Sequence, residues 1–199
     1  MESNRRDTAF DIALPTLPGA EDAGPTLHVA LAGSPNVGKS SVFNPLTGLS
    51  QHVGNWPGKT VEQKAGLHRH DGRTLHIVDL PGTYSLTANS VEEQVARDYV
   101  INQRPDVVVA VVNAASLERT LYLVAELLEL PAPLVVGLNM VDVAEAQGLR
   151  VEANVLQAAL GVPVVPLVAT RGRGLSELVA AVEQVADGRI PYAPTRPEL

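Results

Sequence analysis

The chain has 199 residues, of which 45% are hydrophobic and only 4% aromatic, and its net charge is −7. This length suits one domain with an aliphatic core, and the acidic balance argues against nucleic acid as a partner, because phosphate binding requires clustered Lys and Arg. The lack of cysteine excludes disulfides and thiolate metal sites, and no apolar run reaches the ~18 residues of a membrane-spanning helix.

Predicted strands and helices alternate along the chain. Apolar runs and alternating patterns predict strands at residues 27–32, 61–69, 74–79, 107–113, 134–139 and 162–168. The helical spacing of apolar residues predicts helices at 39–47, 91–102, 117–130, 152–160 and 175–186. This alternation indicates βαβ units, in which helices connect parallel strands.

The fold expected from this order is an α/β fold with a doubly wound, mostly parallel sheet and helices on both faces. A two-residue hairpin signal at Asp71 and Gly72 adds one antiparallel edge strand. We expect the domain to occupy residues 26–187, between a flexible N-terminal arm at 1–25 and a proline-rich linker at 188–199. The linker is expected to lead towards a helical or membrane region that this chain does not contain.

A phosphate loop follows the first predicted strand. Residues 33–40 read GSPNVGKS, which fits the pattern G-x-x-x-x-G-K-[ST] between a buried strand and the start of a helix. Glycines let the backbone N–H groups approach phosphates, and the N-terminus of the helix favours the same anion. We expect Lys39 to lie along the β and γ phosphates and the Ser40 hydroxyl to bind Mg²⁺.

A base-recognition motif follows the strand at 134–139. In the sequence NMVD, Asp142 can accept hydrogen bonds from N1–H and the exocyclic amine of guanine, which adenine cannot offer. Asn139 is expected to bridge the base edge and the phosphate loop. The backbone N–H of Ala169, after the next strand, is expected to donate to guanine O6. The sequence therefore predicts guanine rather than adenine as the base.

Taken together, these motifs resemble the cytosolic GTPase domain of FeoB-type ferrous iron transporters, within the Ras-like P-loop superfamily. The resemblance covers roughly residues 27–187. Its most specific parts are GSPNVGKSS at 33–41, VGNWPGKTVE at 53–62, DLPGTYSL at 79–86 with VARDYV at 95–100, and NMVD at 139–142. We call residues 53–62 the first switch and residues 79–86 the second switch, after the loops that they match in this family.

The resemblance implies roles for residues of both switches. Thr60 matches the switch threonine that reaches Mg²⁺ and the attacking water, Asp79 the aspartate that holds Mg²⁺ through a water, and Gly82 the N–H that contacts the γ-phosphate. The catalytic candidates are Asn36, Lys39, Thr60 and Gly82. The full set expected to bind nucleotide is Gly33, Ser34, Pro35, Asn36, Val37, Gly38, Lys39, Ser40, Ser41, Gly58, Lys59, Thr60, Asp79, Leu80, Pro81, Gly82, Asn139, Met140, Asp142, Val168, Ala169 and Thr170.

Thr83 stands where efficient Ras-like enzymes have a glutamine that positions water, and it is too short for that task. The resemblance implies that a K⁺ ion beside the phosphates compensates, as an arginine would. Its expected ligands are the Asn36 side chain and the carbonyls of Gly54 and Trp56. The cofactors implied are thus Mg²⁺ and K⁺, although Asn36 can equally be a plain turn residue. No arginine is an obvious finger, and those at 171 and 173 are expected to be solvated.

Two residues depart from the pattern of related GTPases in the expected guanine pocket. Met140 replaces the usual lysine, and Val168 replaces a frequent serine. Each change removes hydrogen bonds around the base. We therefore expect micromolar nucleotide affinity and rapid release of GDP.

Three other features do not fit the nucleotide site. His68 and His70 share one face of their strand, whereas His76 is expected opposite Leu67 and on the other face, so these histidines do not converge on a metal. Pro45 falls inside the first predicted helix, where a kink and a harmless irregularity are both open. Trp56, the only tryptophan, becomes a candidate for partner docking if it is exposed.

The leading hypothesis is a GTPase whose switches gate Fe²⁺ uptake through an attached membrane region, at the cytoplasmic face of a bacterial inner membrane. The implied partners are GTP or GDP and the protein's own C-terminal helical and transmembrane regions, and a homo-oligomer is left open. One alternative is a soluble GTPase associated with ribosomes or tRNA, which the net charge of −7 disfavours. Another is a nucleotide-sensing module with negligible hydrolysis, which Thr83 keeps open.

Overall fold

The computed structural model describes residues 25–190 and 192–195. In this part of the chain, seven strands form one sheet in the order β2-β3-β4-β1-β5-β6-β7. The strands are β1 (Thr26–Gly33), β2 (Gln51–Asn55), β3 (Glu62–His70), β4 (Arg73–Asp79), β5 (Val107–Asn113), β6 (Leu134–Asn139) and β7 (Val164–Pro166). The helices are α1 (Lys39–Thr47), α2 (Val91–Gln103), α3 (Leu117–Leu128), α4 (Val141–Ala146), α5 (Ala153–Leu160) and α6 (Leu175–Ala186).

The sheet is mixed, as the sequence predicts. The pairs β1–β4, β1–β5, β5–β6 and β6–β7 are parallel, whereas β3 runs antiparallel to both of its neighbours, β2 and β4. The turn between β3 and β4 has positive φ at Asp71 (45°) and Gly72 (77°), the backbone of a tight hairpin turn. The predicted fold class, including the antiparallel edge, is confirmed.

Helices cover both faces because every central strand is apolar on both sides. In β5, Val108, Ala110 and Val112 pack towards α2 and α3, while Val107, Val109 and Val111 pack towards α1 and α6. Full burial of each of these valine side chains stabilises the fold by roughly 1.5–3 kcal/mol. This unbroken run of valines is the sequence signature of a strand buried on both faces.

Three elements differ from the sequence-based expectation. β7 has only three residues instead of the predicted 162–168, since Pro163 and Pro166 lack the N–H that would extend the ladder. β2 was not predicted, because its residues show no alternation of buried and exposed positions. The six-residue helix α4 was likewise missed, since it is too short for a clear helical period.

Pro45 lies inside α1, which continues to Thr47. The missing N–H removes one intrahelical hydrogen bond, and only two helical residues follow the proline. Gly48 terminates it with φ of 54° and donates its N–H to the Asn44 carbonyl over 2.8 Å. A proline is therefore tolerated here near the C-terminus of the helix.

The chain after α6 returns to the body of the domain. The Thr195 N–H donates to the Leu160 carbonyl over 2.9 Å, and the Tyr192 hydroxyl accepts from the Leu134 N–H over 3.0 Å. This part of the expected linker thus contacts the domain, while the expected arm, except for Pro25, lies outside the described residues. Within the described ranges, no helix has the length and hydropathy needed to cross a bilayer.

His76 is buried in the sheet at a distance from the predicted motifs. It lies opposite Leu67, as the hairpin register predicts. Its Nδ1 is 3.4 Å from Nδ1 of His28, and its Nε2 is buried without a hydrogen-bond partner. Burial, reinforced by the charge of His28, lowers the pKa of His76 to about 4. The imidazole is therefore neutral in the folded protein.

This depressed pKa should make folding stability depend on pH. Below the ordinary histidine pKa of about 6.5, the unfolded chain binds a proton that the folded chain does not, so the free energy of unfolding falls as the pH decreases. Between pH of about 7.5 and about 5.5, we expect wild type to lose about 1 kcal/mol more than His76→Gln in urea unfolding. The exposed His52→Gln should behave like wild type, and equal pH slopes for wild type and His76→Gln would contradict the assignment.

Candidate functional site

The phosphate loop connects β1 to α1, as predicted. Gly38 precedes the helix with φ of 84°, a left-handed conformation that favours glycine. Asn36 has φ of 66° and is exposed. At Gly33, a Cβ would lie 2.8 Å from the Val111 carbonyl oxygen, so no side chain fits between the loop and β5. The loop is thus held close to the end of the sheet, with the N-terminus of α1 directed towards it.

Asn139, at the end of β6, connects the phosphate loop to the loop after β7. Its Nδ2 donates to the Val37 carbonyl over 3.0 Å, as predicted from sequence, and its side chain is buried. Its Oδ1 accepts the Ala169 N–H over 3.1 Å. That N–H is the one expected to donate to guanine O6, and the nearby amide oxygen satisfies it within the protein.

Lys39, Asp79 and Gly82 come together beside a cavity of about 230 Å³. Lys39 forms an ion pair with Asp79 and donates to the Leu80 carbonyl over 2.7 Å. Burial raises the pKa of Asp79, and the positive charge of Lys39 opposes that effect. A buried carboxylate of this kind requires a cation beside it. A larger cavity of about 470 Å³, lined by residues 114–119 and 149–151, contains no predicted site residue.

In the first switch one side chain is buried, and the other residues are exposed or half-buried. Residues 56–59 form a turn in which the Lys59 N–H donates to the Trp56 carbonyl over 2.9 Å, and Gly58 has φ of 68°. Thr60 follows this turn and is exposed. Trp56 is only 1% exposed, and its ring meets Tyr99 of α2 edge-on at 5.5 Å. The condition for a docking role of Trp56 is therefore not met.

The carbonyls expected to bind K⁺ lie within this first switch. Gly54 is part of β2 and pairs with Gln63, and the Trp56 carbonyl accepts the turn hydrogen bond described above. A carbonyl oxygen has two lone pairs, so each oxygen keeps capacity for a cation. These two carbonyl oxygens therefore remain available to a cation, and the Asn36 amide is exposed on the phosphate loop.

The predicted base-recognition residues surround the end of β6. Asp142 lies in the first turn of α4, where its Oδ1 accepts the Val143 N–H over 3.0 Å. Met140 has φ of 60°, and its terminal methyl is 3.3 Å from the Cβ position of Gly38, so its side chain lies over the phosphate loop. Val168 is buried and Thr170 is exposed.

Several contacts of the site were not predicted from the sequence. The Thr83 N–H donates to the Gly33 carbonyl over 3.3 Å, and Thr83 is buried. Glu126 of α3 accepts the Leu86 N–H over 2.6 Å, which ties the second switch to α3. Arg171 was expected to be solvated and is 75% exposed, yet its Nη2 lies 3.9 Å from Asp142. The partners in these pairs are far apart in sequence, so no local pattern signals them.

The histidines do not form a metal site. His68 contacts the Leu46 carbonyl over 2.8 Å, and His70 contacts Glu183 over 3.2 Å. No group of three histidine or carboxylate side chains suited to a metal ion occurs among residues 25–190 and 192–195. Oxygen donors for Mg²⁺ are instead available at Ser40, Thr60 and Asp79.

Comparison with known proteins finds the relatives of this chain among ferrous iron transport proteins. The family model described as ferrous iron transport protein B matches residues 27–182. The Fe(2+) transporter FeoB of Escherichia coli (strain K12) is 49% identical over 162 residues, which cover 79% of this chain and 21% of the transporter. For the FeoB of Salmonella typhimurium the identity is 48% over the same coverage. The chain thus spans about a fifth of the length of these curated relatives.

Solved structures similar to this chain include FeoB domains. The FeoB G domain from Methanococcus jannaschii has a TM-score of 0.73 at 43% identity, covering 82% of this chain and 99% of that one. A mutant NFeoB from S. thermophilus, solved with GDP bound, has a TM-score of 0.78 at 43% identity, covering 83% of this chain and 65% of that one.

The two hydrogen bonds of Asn139 predict a large effect on stability. Asn139→Ala leaves the Val37 carbonyl and the Ala169 N–H buried without partners, each at a cost of about 1–3 kcal/mol. We expect the free energy of unfolding in urea to fall by about 2–4 kcal/mol. The matched change Asn154→Ala, at an exposed position of α5, should alter it by less than about 0.5 kcal/mol. An equally small effect of both changes would contradict the bridging role.

Proposed function

Because the chain belongs to the ferrous iron transport protein B family, we propose that it binds GTP and hydrolyses it to GDP and phosphate, with rearrangement of its two switches. The observation that carries this proposal is the bridge made by Asn139. It connects the phosphate loop to the loop that follows β7, with Asp142 three residues further along the chain. One rigid cluster therefore presents both a phosphate-binding backbone and a carboxylate for a base.

On the phosphate side, the backbone of residues 33–41 surrounds the anion, and the positive N-terminus of α1 faces it. Lys39 neutralises the β and γ phosphates after exchanging its ion pair with Asp79 for the nucleotide. The Gly82 N–H contacts the γ-phosphate. Four further residues of the switches border these groups: Gly58, Lys59, Leu80 and Pro81.

The donors near Asp79 suit Mg²⁺, which prefers carboxylate and hydroxyl oxygens. Ser40, Thr60 and Asp79 supply such oxygens, and Asp79 is a buried carboxylate that a cation stabilises. When bound, Mg²⁺ neutralises the phosphate oxygens. Thr60 is exposed, so it can move towards the phosphates without breaking packing in the core.

On the base side, Asp142 accepts the N1–H and the amine of guanine, and this pairing selects guanine over adenine. Val168, Ala169 and Thr170 border the base. Met140 covers one side with an apolar chain but offers no hydrogen bond. The nucleotide is therefore held with micromolar affinity, and GDP leaves quickly.

Thr83 cannot position water as a glutamine does, because its side chain is short and its residue is buried. The Asn36 side chain and the carbonyls of Gly54 and Trp56 would hold a K⁺ ion, which would supply the charge stabilisation that hydrolysis needs. When bound, the ion stabilises negative charge that develops between the β and γ phosphates. Asn36 is exposed at the loop, as a ligand for an external ion must be.

In the whole protein, we propose that GTP hydrolysis regulates or drives Fe²⁺ uptake by an attached membrane region. The domain then works at the cytoplasmic face of a bacterial inner membrane, with the protein's own helical and transmembrane regions as partners. The support is the identity of 49% to an Fe(2+) transporter of which this chain covers about a fifth. A second candidate, a nucleotide sensor with negligible hydrolysis, is favoured by the buried Thr83.

The proposal predicts selective turnover of GTP. Wild type should release phosphate from GTP in the presence of Mg²⁺ and K⁺, with far less release from ATP. Asp142→Asn should weaken binding of GTP at least tenfold, since a hydrogen bond to a charged group contributes about 1.5–3 kcal/mol. Asp71→Asn, in the exposed hairpin turn, serves as the matched control. Equal turnover of ATP would refute guanine recognition, and GTP binding without phosphate release would favour the sensor.

The potassium role predicts a cation effect that depends on Asn36. Turnover of GTP should rise several-fold when K⁺ replaces Na⁺, and Asn36→Ala should abolish the rise. Because Asn36 has φ of 66°, Asn36→Gly is the better variant: it removes the amide without straining the backbone. The exposed Asn102→Ala should keep the wild-type response. Equal rates in both salts would remove K⁺ from the mechanism.

A further inference from the structure

We propose that Arg171 competes with guanine for Asp142, and thereby weakens nucleotide binding and speeds the release of GDP. The inference rests on the proposed function, because it requires that Asp142 accepts hydrogen bonds from guanine. It adds a residue that tunes affinity and lies outside the phosphate loop and both switches.

The two carboxylate oxygens of Asp142 have different surroundings. Oδ1 accepts the Val143 N–H over 3.0 Å, which fixes the orientation of the carboxylate at the start of α4. Oδ2 lies 3.9 Å from Nη2 of Arg171. The Asp142 side chain is 30% exposed, so its free edge is open to a ligand on the side that Arg171 approaches.

Arg171 is carried by a loop with a closed backbone, residues 168–173, which we call the base loop. The Arg171 N–H donates to the Val168 carbonyl over 2.9 Å, and the Val168 N–H donates to the Arg173 carbonyl over 3.0 Å. The neighbouring Ala169 is bound to Asn139. Arg171 therefore extends from a backbone that is fixed relative to the guanine-binding cluster.

The distance between Arg171 and Asp142 determines how strongly the arginine competes with guanine. At 3.9 Å the guanidinium attracts the carboxylate without a short hydrogen bond, and Arg171 is 75% exposed. Pairs of this kind are weak and are screened by salt. Guanine must weaken this pair when its N–H donors bind Asp142. Removal of the arginine should therefore tighten binding by about two- to fivefold.

A positive charge in the base loop also strengthens nucleotide binding, because it attracts the phosphates of the nucleotide from a distance. Arg173 carries the same charge in the same loop and is exposed. Arg173→Ala therefore loses the long-range attraction alone, whereas Arg171→Ala loses both the attraction and the competition. The difference between the two variants isolates the local contact with Asp142.

The experiment uses a fluorescent N-methylanthraniloyl derivative of GDP. Its dissociation rate and Kd are measured for wild type, Arg171→Ala, Arg171→Lys and Arg173→Ala at constant K⁺, with ionic strength set by choline chloride. We expect Arg171→Ala to release the probe about two- to fivefold more slowly than Arg173→Ala at about 0.1 M salt. The difference should vanish at about 1 M salt, where the screening length of about 3 Å is shorter than the pair.

The outcomes are distinguishable. Slower release from Arg171→Ala alone, with Arg171→Lys closer to wild type, supports the competition. Equal release from both alanine variants, faster release from Arg171→Ala, or a difference that persists at high salt would overturn it. Competition of the probe with unlabelled GDP and ADP separates this failure from the failure of the proposed function. If ADP displaces the probe from wild type as well as GDP does, Asp142 does not recognise guanine at all.

Discussion

The candidate site depends on one buried amide. Asn139 donates to the Val37 carbonyl and accepts from the Ala169 N–H, and therefore joins loops that are more than a hundred residues apart in sequence. Both bonds are buried, so loss of the amide would leave both backbone groups without a partner in the protein interior. The phosphate loop and the base loop consequently keep a fixed spacing. A fixed spacing is what a ligand with an anionic end and a planar end requires of its site.

This packing is a second reason why the phosphate loop contains glycines. A Cβ at Gly38 would lie 2.4 Å from Nδ2 of Asn139, and one at Gly33 would lie 2.8 Å from the Val111 carbonyl. The inner side of the loop therefore carries small residues because Asn139 and Val111 pack directly against its backbone. By contrast, a Cβ at Gly82 would meet Pro35 at an ordinary 3.5 Å, so packing within the protein does not require glycine at that position.

The sequence predicted features that are encoded locally. The buried valines of β5, the hairpin at Asp71 and the contiguous loops after β1 and β6 all follow from short patterns, and their positions are confirmed. The edge strand β2 was not predicted, because both of its faces carry exposed residues and its sequence therefore shows no alternation of apolar and polar positions. Two contacts were not predicted because they depend on how helices and loops pack over the sheet: that of Arg171 with Asp142 and that of Glu126 with Leu86.

The two switches are attached to the core in different ways. The second switch is tied to α3 by a 2.6 Å bond from the Leu86 N–H to Glu126. The first switch is held by Trp56, whose burial contributes about 4–6 kcal/mol but whose Nε1 is buried without a partner, at a cost of about 1–3 kcal/mol. Its anchor is thus weaker than its buried area implies. Thr60, four residues beyond that anchor, is exposed, so its position does not depend on packing in the core.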